Sequence, residues 1–130
     1  MRDFRELKVW EKSHALTVDI YQVTIGFPKV ELYGLTSQLR RAAISIPANL
    51  AEGCGRDSEA ELLRFMRIAM GSASELEYEL LLAHELQWLE DQTYQRLQTN
   101  LTEIRRMLNT FIQRLKSEPN VQSKKTKANS

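Results

Sequence analysis

The stretch DQTYQRLQTNLTEIRRMLNTFIQRLK, residues 91–116, decides the fold. Within it Tyr94, Leu97, Leu101, Ile104, Leu108, Phe111 and Leu115 recur at alternating steps of three and four through three heptads. A strand alternates with period two, so this spacing predicts a long helix with one apolar stripe, capped at its start by Asp91. Such a stripe must be buried against other helices. Working back along the chain, Ser58 followed by Glu61 forms a capping box that starts another helix near Glu59. Its seam, Leu62, Phe65, Ala69, Ser72, Leu76, Leu80 and Ala83, stays in phase to about Leu86, and Ala69, Ser72 and Ala73 are small enough to admit a close neighbour.

Upstream, Leu35, Leu39, Ala43, Ile46 and Leu50 give a second helix. Pro47 predicts a kink in it, because its ring removes one backbone donor and frees a carbonyl; Gly53 and Gly55 close it. The first helix reads from residue 6 to residue 25 on Leu7, Trp10, His14, Val18, Tyr21 and Ile25, and Gly26-Phe27-Pro28 ends it. The fold class is therefore all-α: an antiparallel up-down-up-down four-helix bundle over residues 1–116, with the third and fourth helices as its central hairpin. Residues 117–130, rich in Lys, Asn, Ser and Gln, read as a disordered basic tail.

With 130 residues, 42% hydrophobic and 27% charged, the chain has the balance of one soluble domain. It has no long apolar run and a single cysteine, Cys54, from which a cytoplasmic, reducing setting without membrane contact is expected. The net charge of +1 hides segregation. From Ile68 to Gln95 the acidic residues Glu75, Glu77, Glu79, Glu85, Glu90 and Asp91 meet no Lys or Arg, whereas from Arg96 to Lys116 five basic residues face Glu103 alone.

Chemistry-bearing patterns are sparse. Glu11 and His14 have the Glu-x-x-His spacing of helix-bundle di-iron sites, but no second copy exists, so no metal or cofactor is expected. Cys54, flanked by Gly53 and Gly55 past a helix end, reads as exposed but unreactive, since the helix dipole there disfavours a thiolate. No phosphate-binding loop or nucleophile elbow is present. The densest cluster is on the second helix, where Arg41, Ser45, Asn49 and Glu52 share one face. They read as a hydrogen-bonded network around Pro47 or at a subunit interface, with a polar groove for a ligand or an RNA backbone as the other reading. Arg40, Arg41, Arg56, Arg64, Arg67, Arg105 and Arg106 are the candidate phosphate contacts, set against the blander reading of solvated helix faces. Trp10, Phe65 and Tyr94 lie on the apolar seams and read as core.

Phe4-Arg5-Glu6-Leu7-Lys8-Val9-Trp10, Phe27-Pro28 with Glu31, Gly34 through Ala43, Ser45 through Gly53 and Ile68 through Glu77 together resemble the bundle proteins encoded by intervening sequences in bacterial 23S ribosomal RNA genes. The resemblance spans residues 4–115. That family is similar in turn to the accessory variability protein of diversity-generating retroelements, a pentameric barrel that associates with a reverse transcriptase and with nucleic acid. The resemblance implies a homopentamer and supplies no catalytic residue. The expected function is thus a non-enzymatic oligomer that associates with RNA or DNA through basic surfaces. The other reading is a protein scaffold docking a reverse transcriptase or a ribosome-associated factor without touching nucleic acid.

Overall fold

In the computed structural model, which describes residues 2–117, a 3-10 turn (Phe4–Glu6) leads into α1 (Lys8–Thr24) and a second (Lys29–Glu31) precedes α2 (Leu35–Cys54), followed by α3 (Glu59–Glu85) and α4 (Asp91–Ser117). The expected basic tail, apart from Ser117, lies outside the described residues. Each helix packs on its neighbours in chain order and α4 closes the ring against α1. Polar contacts give the directions. Thr17 meets Ala43 while Thr24 meets Arg40. Gly53 faces Leu62 while Ser45 meets Ser72. Glu77 pairs with Arg105 and His84 with Asp91, and Lys12 pairs with Glu103 while Asp19 pairs with Arg96. Every adjacent pair therefore runs antiparallel, giving the up-down-up-down bundle.

The core is a column of aliphatic side chains, among them Ile20, Leu39, Ile46, Leu50, Met66, Leu76, Leu80, Leu97, Leu101, Ile104 and Leu108, all fully buried. Each such burial stabilises by roughly 1.5–3 kcal/mol. The most extensive contact joins α2 to α3, so these helices, rather than α3 and α4, form the central hairpin. Small side chains explain it: a Cβ added to Gly53 would sit 3.0 Å from Cβ of Phe65, and Ser45 and Ser72 touch through their hydroxyls at 2.7 Å.

The inward face of α1 differs from the expected seam. Val9, Ser13, Leu16, Thr17, Ile20 and Thr24 point inward, while Val18, Tyr21 and Ile25 are exposed. The hydroxyls are tolerated because each has a carbonyl to meet: Ser13 donates to Trp10, Thr17 to Ser13 and Ala43, and Thr24 to Ile20 and Tyr21. In α4 the stripe from Leu97 to Leu115 is buried as expected, but Ile112 replaces Phe111 in the interior.

Helix ends follow the sequence in part. Ser58 Oγ accepts from the Glu61 N–H at 3.1 Å, but the Glu61 carboxylate turns to Arg64 instead of completing the capping box. Asp91 is the first residue of α4 rather than its cap, and its carboxylate meets His84 Nε2 at 2.7 Å. α3 ends in a Schellman-type turn, in which Trp88 N–H reaches the Ala83 carbonyl and Gln87 adopts φ 65°. Trp10 and Tyr94 are half-buried rather than core, the first packed between Phe4 and His14, the second stacked on His84. Cys54, expected to be exposed, is buried as the last residue of α2, and burial pushes its thiol upward.

Candidate functional site

Pro47 sits inside α2 and cannot donate to the Ala43 carbonyl one turn earlier. That acceptor is met from across the bundle by Thr17 Oγ1 at 3.0 Å, so the unusual residue on α2 is matched by an unusual residue on α1. On the opposite side of α2, Asn49 Nδ2 donates to the Ser45 carbonyl at 2.7 Å and to Ser45 Oγ at 2.9 Å. Ser45 Oγ then meets Ser72 Oγ, carrying the network to α3. Of the four residues expected to form it, Ser45 and Asn49 do, with Ser72 as third member. Glu52 bonds Arg56 instead, and Arg41 is exposed and stands apart.

Above this network, α2 and α3 enclose a cleft of ≈ 650 Å³ lined by Gln38, Arg41, Ala42, Ile44, Ser45, Ser72, Glu75 and Glu79. Its floor holds a residue that the sequence did not single out. Glu79 is only 4% exposed, and its Oε1 has no hydrogen-bond partner among the described residues. Burial, with Glu75 one turn away adding to it, pushes the carboxyl up to about 7.

The candidate phosphate-binding arginines divide into two groups. Arg40 bonds Thr24 Oγ1 and the Tyr21 carbonyl and lies over the Tyr21 ring. Arg56 and Arg64 pair with Glu52 and Glu61 while both cover the Phe65 ring. Arg105 pairs with Glu77 at 2.5 Å. These four are engaged in holding the bundle's own surface, and the acidic and basic stretches of α3 and α4 meet there within one chain. Arg41, Arg67 and Arg106 are exposed and make no ion pair among the described residues.

Arg106 lines a second, shallower groove of ≈ 350 Å³ between the start of α1 and the last turns of α4. There Lys8, Arg106 and Arg114 surround half-buried Phe111 and Met107, with Glu6 the sole acidic residue in the lining. Phe111 is thus an aromatic at a basic rim, where the sequence pattern had placed it in the core. Among the described residues, no group of three or more His, Cys, Asp or Glu gathers as a metal site, and His14 stacks on Trp10 instead. Among those residues too, no helix is long and apolar enough to cross a membrane.

The family model of the 23S rRNA-intervening sequence protein matches residues 5–110. The chain belongs to that family. A solved structure from Bacteroides thetaiotaomicron, a protein of unknown function of the S23 ribosomal protein family, is similar at a TM-score of 0.72 and 27% identity. The match covers 80% of this chain and 97% of that one. No curated protein matches the chain.

Proposed function

We propose that this intervening-sequence protein is a non-enzymatic, cytoplasmic bundle that assembles with copies of itself, as a pentamer, and associates with RNA or DNA through its basic surfaces. The observation carrying this reading is the groove of Lys8, Arg106 and Arg114 around Phe111. Cations spaced along the groove neutralise backbone phosphates and release counterions; the Arg2 guanidinium already lies over the Phe111 ring, 5.6 Å from its centroid, so charge rather than base stacking carries the reading. Arg41 on α2 and Arg67 on α3 are further exposed cations without an ion pair among the described residues. Recognition of this kind reads backbone and shape rather than base edges.

The test is anisotropy of a labelled single-stranded RNA of mixed sequence, titrated at several salt concentrations. Wild type is expected to lose affinity steeply with salt, and the double variant R106E/R114E to bind at least tenfold more weakly with a shallower salt slope. Affinity that does not change with salt would overturn the reading.

A second reading, a scaffold that docks a protein partner, draws support from the connection between α1 and α2. There Ile25, Val30, Leu32 and Tyr33 are exposed together, Tyr33 by 93%. Copurification of a protein that survives nuclease treatment, and that is lost in Y33S, would favour it.

A further inference from the structure

The cleft between α2 and α3 is separate from the basic groove, and its chemistry is of opposite sign. We propose that it is a binding site for a guanidinium or primary ammonium group, held by the carboxylates of Glu79 and Glu75 with Ser45 and Ser72 as supporting hydroxyls. A buried acceptor without a donor is costly, and Glu79 Oε1 lacks one although the residue is almost wholly enclosed. The bundle's own cation at this cleft, Arg41, lines the space but stands beyond ion-pair distance of both carboxylates.

Ligand classes can be separated by what the lining offers. An anion would meet two carboxylates. A bare divalent cation takes six or more oxygen ligands or a near-octahedral cage, which two carboxylates on one helix do not supply. An N–H-bearing organic cation needs what is present: a buried carboxyl, Glu79, and an exposed one, Glu75, hydroxyl oxygens in the same lining, and the side chains of Ala42 and Ile44 for its stem. Arg41 then disfavours a second positive charge on the ligand. Glu75, one turn away on the same helix, is the charged group that acts on Glu79, and Arg41 on α2 lines the same cleft, so occupancy should strengthen as pH rises from 6 to 8 and Glu79 ionises.

The group has two sources, a free small molecule or an arginine or lysine of a second copy; the latter rests on the oligomeric reading above. The test titrates N-acetylarginine methylamide into the full chain, following amide shifts of Ser45 and Ser72, with N-acetylnorleucine methylamide as control. It is repeated on E79Q, which keeps the shape and removes the charge and is checked for folding by its melting curve. Saturable binding of the arginine probe alone, weakened at least tenfold in E79Q, supports the site. A fall in particle mass by light scattering on adding the probe assigns the cleft to a second copy, while an unchanged mass assigns it to a free cation. If the probe does not bind, loss of assembly in E79Q still supports an internal cation from a neighbouring copy. A wild type that does not bind the probe, with an E79Q that assembles unchanged, or equal probe binding by E79Q, overturns the proposal.

Discussion

Thr17 and Pro47 show how a residue choice on one helix constrains another. The carbonyl of Ala43 is left without its helical donor by Pro47 and is met by Thr17. T17V is therefore expected to destabilise the bundle by about 1–3 kcal/mol in urea unfolding, the cost of a buried unpaired acceptor. In a P47A background, where the backbone N–H returns, the same change should cost distinctly less; an equal cost would show that the hydroxyl and the proline act independently. Glu79 gives a pH dependence of known sign. Burial raises its carboxyl to about 7, above the ordinary 4.5, so the folded chain holds this proton more tightly than the unfolded chain. Its contribution is full below about pH 4.5 and is lost as pH rises through about 7. E79Q should accordingly be more stable than wild type at pH 8, by up to about 3 kcal/mol, and the gain should vanish near pH 4. Neither residue announces its role in sequence: Thr17 reads as a break in an apolar pattern, and Glu79 as one more charge on an acidic helix. Ser45 and Asn49 were legible because their four-residue spacing puts both on one face beside a proline, whereas nothing in sequence links them to Ser72.

At the scale of the helix, the strict three-four repeat made α4 legible almost in full, since an apolar stripe of that length is best buried against other helices. α1 was misread because its inward face is half hydroxyl. Apolar spacing alone points to Val18, Tyr21 and Ile25, and only the neighbouring carbonyls explain why Ser13, Thr17 and Thr24 face inward instead. The two interior glycines of α2 and α3 separate helix propensity from packing. Gly71 has open space around its missing Cβ, so G71A should stabilise by about 0.5–1 kcal/mol. G53A would press a methyl 3.0 Å from Phe65 Cβ and 3.1 Å from Leu62, both buried, and should yield no gain or a net loss. Thermal melts of the two variants compare these directly, and equal gains would mean that α2 and α3 pack less closely than this geometry requires.

For the whole molecule, charge is segregated along the chain, acidic from Ile68 to Gln95 and basic from Arg96 to Lys116. The fold resolves part of that contrast internally: Glu77 with Arg105, Asp19 with Arg96 and Glu103 with Lys12 all join helices of one bundle. What remains unpaired is a basic groove at the α1–α4 seam and an acidic cleft at the α2–α3 seam, on different sides of the molecule. R105E should therefore lower the melting temperature by setting a carboxylate against Glu77, whereas R106E should leave folding unchanged and weaken RNA binding. The most direct measurement is light scattering of purified protein, before and after nuclease treatment, with absorbance followed at the protein and nucleic-acid wavelengths. The expected result is a particle of about five times the 15.1 kDa chain mass, carrying nuclease-sensitive absorbance. A 15.1 kDa monomer free of nucleic acid would contradict it.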